Sequence, residues 1–127
     1  MSVNEELVKV LTDKKMTVST AESCTGGLIS KLITDVSGSS EVFRYGFVTY
    51  ANEAKINILG VWDEALSQYG AVSEPVAVLM SCGARRVSKS DIAVSVTGIA
   101  GPGGGTAEKP VGLVYVSLST PDGTICR

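Results

Sequence analysis

The chain has 127 residues, 44% of them hydrophobic and 19% charged, and its 11 Lys plus Arg against 13 Asp plus Glu give a net charge of −2. That is the size and balance of one soluble α/β-type domain, too short for two independent cores. No apolar run approaches the roughly 20 residues of a membrane span, the first residues, MSVNEELVKV, lack the basic and apolar regions expected of a signal peptide, and no basic run argues for a nucleic acid partner.

The chain opens with Val3, Leu7, Val8, Val10 and Leu11 among charged residues at helical spacing, which predicts an amphipathic helix over 3–15. Met16 to Ala21 alternates apolar and small polar side chains as a short strand does, and it runs into Glu22-Ser23-Cys24-Thr25-Gly26-Gly27. Leu28, Ile29, Leu32, Ile33 and Val36 then form a helical stripe, with Gly38 placed as its C-terminal cap. Tyr45 to Tyr50 reads as a second strand, followed by a helical stretch that carries Lys55. Asp63 is placed to cap a short helix ending at Tyr69-Gly70. Ser73 opens a longer helix through Val87, with Val76, Met80, Ala84 and Val87 as its inner face. Ile92 to Thr97 and Val111 to Ser119 are strands, and Thr120-Pro121-Asp122-Gly123 is a tight turn into a returning strand. Helices alternate with strands, so the expected architecture is a three-layer α/β/α sandwich around a mixed sheet, one domain over residues 1–127.

Histidine is absent, which removes every mechanism that needs an imidazole and leaves acid–base work to Lys, Tyr, Asp or Glu. The three cysteines, Cys24, Cys82 and Cys126, are widely spaced and form no CxxC pair, so neither disulfides nor a structural metal is expected, and a reducing, cytoplasmic setting fits. Ser23 lies where a strand turns into a helix, a position that exposes a hydroxyl beside free backbone N–H groups. It is therefore a candidate nucleophile, with Gly26 and Gly27 allowing close approach. The alternative is that Ser23 or Thr25 is simply the helix N-cap. A serine nucleophile without histidine needs a lysine of lowered pKa, and Lys55, just past an apolar strand and near the Tyr50 phenol, is the candidate base. A solvated lysine beside a core tyrosine is the alternative. Cys24 is a rival nucleophile, although successive residues at a strand end point to opposite sides. The loop Gly98 to Gly105 follows a strand, where an anion-binding nest and a plain flexible loop are both plausible. Gly104 stands where a Walker A loop has lysine, and Thr106 where GxGxxG has its third glycine, so neither nucleotide motif is present.

Four blocks in register, AESCTGGLIS at 21–30, YGFVTYANEAK at 45–55, GAVSEPVA at 70–77 and VTGIAGPGGGTAEKPVGLVYV at 96–116, closely resemble the C-terminal domain of the CinA family and its stand-alone relatives, the nicotinamide mononucleotide amidases. The resemblance implies hydrolysis of the carboxamide of nicotinamide mononucleotide to nicotinate mononucleotide and ammonia, without cofactor or metal. It implies Ser23 as nucleophile, Lys55 as base and Tyr50 beside them. Thr25, Gly26, Gly27, Thr97, Gly98, Gly101, Gly103 and Gly104 are the expected substrate contacts. The alternative is a catalytically weak or inactive module that binds a pyridine nucleotide. Relatives continue into another strand and a C-terminal helix, so the chain is expected to be shortened there. One sheet face would then be bare for an oligomer to bury, with weak activity unless a partner subunit covers it.

Overall fold

The structure, a computed structural model describing residues 1–127, is built on a five-stranded sheet in the order β2-β1-β3-β4-β5. The strands are β1 (Val18–Glu22), β2 (Phe43–Val48), β3 (Ile92–Gly98), β4 (Val114–Thr120) and β5 (Gly123–Cys126). β1 runs parallel to both β2 and β3, while β4 pairs antiparallel with β3 and β5 antiparallel with β4. The helices are α1 (Val3–Lys14), α2 (Leu28–Thr34), α3 (Asn52–Leu59), α4 (Asp63–Tyr69) and α5 (Glu74–Ser88). None is long and apolar enough to cross a membrane.

Local chemistry sets most helix ends. Ser2 and Glu5 form a reciprocal capping box at the start of α1, and Lys15 closes that helix in the left-handed conformation. At α5 the Ser73 hydroxyl accepts from the Val76 amide, and Pro75 sits in the first turn, where it removes no needed donor. Two expectations shift. Helix α2 ends at Thr34, and Gly38 instead begins a short 3-10 turn over Ser39–Glu41, because Asp35 takes the C-cap. Asp63 is the first helical residue of α4 rather than its cap, with Trp62 preceding it.

The strand pleat sorts side chains into two cores and so makes three layers. Val18 packs with Val8 and Leu11 of α1, Ile33 of α2 and Val42 on one face. Ala21 and Ala93 pack with Leu59, Val61, Ala65, Leu66, Val76, Met80 and Ala84 from α3 to α5 on the other. Val87, expected on the inner face of α5, is exposed. The sheet face under α5 is made of small residues, Ser19, Ala21, Ala93, Ser95, Ser117 and Ser119, all buried. Their hydroxyls are satisfied across the layer: Ser95 Oγ donates to Ala77 O at 2.6 Å, and Ser81 and Ser117 share a hydrogen bond of 2.9 Å. On the opposite face no helix lies over β4 and β5, and Val114, Val116 and Ile125 are exposed.

Gly83 lets α3 approach α5 backbone to backbone: a Cβ there would stand 2.0 Å from Leu59 O at the end of α3. Alanine gains about 1 kcal/mol of helix propensity, and overpacking against a main-chain atom that cannot swing away costs at the upper end of about 1–3 kcal/mol. Gly83→Ala is therefore expected to lower unfolding free energy by about 2 kcal/mol, read as the urea midpoint at unchanged m-value.

Candidate active site

Only two of the buried side chains are ionisable, Glu22 and Lys55, and both sit at the carboxyl ends of the parallel strands. This is where α/β sheets gather ligands, on either side of a strand whose neighbours are reached by opposite crossovers. Ser23 extends β1 by one residue, its N–H donating to Val96 O at 3.0 Å, while the Thr49 N–H donates to Glu22 O at 2.9 Å. The first residue beyond β1 is thus fixed against both neighbouring strands.

Side chains on a helix point back toward its N-terminus, and Lys55, in the first turn of α3, reaches back over the end of β2. Its Nζ lies 2.7 Å from Thr49 O, 3.1 Å from Tyr50 O and 2.9 Å from Ser23 Oγ. Lys55 is 1% exposed, and burial holds its pKa below the usual lysine value, the nearby Cys24 thiol opposing only in part. A neutral amine has two N–H donors and one lone pair. With the two carbonyls as acceptors for two N–H groups, removal of the third proton would leave the lone pair facing the Ser23 hydroxyl.

Glu22, one residue before Ser23, points to the opposite face of the sheet. Its Oε1 accepts from Thr25 Oγ1 at 2.7 Å and from the Ile29 amide at 2.8 Å; Oε2 accepts from the Ser30 amide at 2.9 Å and Ser30 Oγ at 2.6 Å. Burial alone pushes its pKa up, but the hydrogen bonds from Ser30, Thr25 and Ile29 outweigh it and hold the carboxyl below its ordinary value. Glu22 caps α2, which corrects the expectation that Ser23 or Thr25 is the N-cap: the residue at that position is Gly27, with φ 116° and no side-chain bond. Gly26, at φ 63°, supplies the other left-handed step of the turn. Through this turn the amides of Cys24, Thr25 and Gly27 donate to no other main-chain group.

A cavity of about 300 Å³ opens in front of Ser23 and Lys55, lined also by Cys24, Tyr50, Ala71, Val72 and residues of the 97–104 loop. Ser23, Tyr50, Lys55, Thr97, Gly98, Gly101, Gly103 and Gly104 are thus brought to one place, whereas Thr25, Gly26 and Gly27 lie behind it, in the turn that presents Ser23. Tyr50 holds the lysine through its carbonyl, and its side chain is 71% exposed at the rim. The Thr97 hydroxyl donates to Ala71 O at 2.9 Å, so it ties two cavity walls together. Lys109 Nζ donates to Tyr69 O at 2.5 Å and pins the glycine loop to the end of α4. Burial pushes the Cys24 thiol up, more than neighbouring amides and Lys55 pull it down, which favours Ser23 over Cys24 as nucleophile. Sequence reasoning missed two contributors. Glu22 had a signal, a carboxylate ending an otherwise uncharged strand, whereas the carbonyls of Thr49 and Tyr50 have none, since every residue has one.

Residues 1–127 match the CinA C-terminal domain family. The chain is 53% identical over 123 residues, 97% of its length and 74% of the relative's, to the nicotinamide-nucleotide amidohydrolase PncC of Escherichia coli. Among solved structures it is similar to the competence/damage inducible protein CihA of Agrobacterium tumefaciens, with TM-score 0.96 and 49% identity over 98% of this chain and 76% of that one. It is also similar to a CinA superfamily protein of Escherichia coli, with TM-score 0.93 and 32% identity over 98% of this chain and 72% of that one.

The buried lysine makes stability depend on pH with a definite sign. Its folded pKa lies below its unfolded one, so the burial penalty is full below the folded value. Between the two values the unfolded chain binds more protons, and stability rises with pH. The melting temperature of the parent relative to Lys55→Met is expected to climb with pH on the acid side of the ordinary lysine value; a constant difference would contradict a lysine whose pKa burial lowers.

Proposed function

The chain belongs to the CinA C-terminal domain family, and from that premise we propose that it hydrolyses the carboxamide of nicotinamide mononucleotide to nicotinate mononucleotide and ammonia, with Ser23 as nucleophile and Lys55 as general base. The observation that carries the mechanism is the 2.9 Å contact between a desolvated lysine amine and the serine hydroxyl in a chain with no histidine.

Neutral Lys55 takes the Ser23 proton as Oγ attacks the amide carbon, giving a tetrahedral oxyanion and an ammonium on Nζ. The amide of Cys24, which follows the nucleophile at the cavity wall and donates to no main-chain carbonyl, is the donor for that oxyanion. As the tetrahedral species collapses, Lys55 returns its proton to the departing nitrogen, which leaves as ammonia, and an ester to Ser23 remains. Water then enters the vacated place, Lys55 takes its proton, and attack on the ester carbon followed by proton return releases the carboxylate and restores Ser23. No charged side chain other than Lys55 lines the cavity. Recognition of the 5′-phosphate therefore falls to main-chain N–H groups of the loop that carries Gly101, Gly103 and Gly104, with Thr97 and Gly98 forming the floor. Tyr50 at the rim offers a ring face to the pyridine or the ribose.

Ser23→Ala and Lys55→Ala are each expected to lower ammonia release from nicotinamide mononucleotide by at least about 10³-fold, and the double variant to lose little more, because the two residues act as one unit. In the parent, kcat/KM should rise with pH through a midpoint below that of an ordinary lysine, the direction set by burial of Lys55. Retained activity in Ser23→Ala would end the proposal.

A further inference from the structure

We infer that Glu22 is a positioning residue for the reaction: by capping α2 with its own carboxylate it keeps the Ser23 hydroxyl for Lys55 and holds the shape of the turn in which the Cys24 amide follows the nucleophile. The inference rests on the proposed role of Ser23 as nucleophile.

An uncapped helix start takes the nearest hydroxyl, and Ser and Thr are among the side chains that serve best. Helix α2 begins five residues after Ser23 and three after Thr25, so both hydroxyls are close enough in sequence to compete for its first amides. Glu22 removes that competition. Its two oxygens take the Ile29 and Ser30 amides and the Ser30 hydroxyl. The Thr25 hydroxyl is turned into a donor toward the same carboxylate. Glu22 is 0% exposed, so no water replaces it. Because alternate residues of β1 face opposite sides, the carboxylate anchors the turn from the α2 side while Ser23 meets Lys55 on the α3 side. Glu22 does not touch the cavity, and its effect passes through geometry.

Gln at this position has nearly the same shape but presents an NH2 to one of the two amide donors, leaving that amide unpaired and the turn free to re-cap through a hydroxyl. For Glu22→Gln, kcat for ammonia release from nicotinamide mononucleotide is expected to fall about 100-fold, the scale of a misplacement near 1 Å. KM should stay within about threefold, since the cavity walls are untouched. The pH midpoint of kcat/KM should not move, because Lys55 remains the titrating group. Labelling of Ser23 by a fluorophosphonate, followed by mass spectrometry, should slow in parallel. A kcat per folded molecule within about threefold of the parent would overturn the inference and leave Glu22 a purely structural cap. A displaced pH midpoint would also overturn it, by placing Glu22 in the proton chemistry. If Glu22→Gln does not fold, Ser30→Ala decides: it lies outside the cavity and removes one of the four donors. Its kcat should fall several-fold at constant KM, and an unchanged kcat would overturn the inference. A parent chain that labels at Ser23 but releases no ammonia would refute the substrate assignment alone, and the labelling rates would still decide the role of Glu22. A parent that does neither refutes both.

Discussion

A lysine amine buried without a carboxylate partner is the constraint around which this chain is organised. Lys55 is out of water, and its hydrogen bonds run to two main-chain carbonyls and one serine. An ion in such a place is expensive unless it is paired. With no partner of opposite charge, burial lowers the pKa toward the neutral form, which is the one with a lone pair to give. A carboxylate within reach would have stabilised the ammonium and left the serine without a base. The site is therefore defined as much by where Glu22 points as by where Lys55 does.

The topology keeps those two groups apart. β1 lies between β2 and β3, and the chain leaves it through α2 on one face and returns across it through α3 to α5 on the other. Glu22 ends β1 facing the first layer, Ser23 follows facing the second, and Lys55 descends from α3 onto Ser23. The small-residue sheet face under α5 and the missing Cβ of Gly83 let α5, and α3 against it, sit close to the sheet. A larger residue in either place would move α3 outward, and with it the only base in the cavity. Packing and chemistry are thus set by the same few ångströms.

Much of this was legible in the sequence because the local signals were strong. The strand–turn–helix around Ser23, the capped start of α5 and the hairpin of β4 and β5 were read from periodicity, caps and turn residues, and they stand within a few residues of where they were expected. The pairing of Ser23 with Lys55 is separated by 32 positions; spacing alone could not supply it, and the family resemblance did. What escaped were contacts in which ordinary groups are put to unusual use. Tyr50 was expected to act through its phenol and holds the lysine through its carbonyl; Ser23 and Thr25 looked like caps because caps are what such residues usually are. In each case tertiary placement, which no local pattern encodes, reassigned a group whose identity was plain.

The two buried ionisable residues show how one strand end supports opposite charge states. Both are desolvated, and desolvation disfavours the ion in each. Glu22 is met by four donors, which outweigh its desolvation and favour the carboxylate; Lys55 has no carboxylate beside it, and burial outweighs what its two carbonyl acceptors return to the ammonium, so its pKa moves toward the neutral amine. Four donors on the one group and burial without a counter-ion on the other separate an anchor from a base without a third charged residue, and a chain lacking histidine has few other means to do so. It also accounts for the order of residues along β1. The anchor must precede the nucleophile by one position, because only adjacent residues of a strand face opposite layers, and only then can one be solvated by a helix start while the other meets a lysine across the sheet.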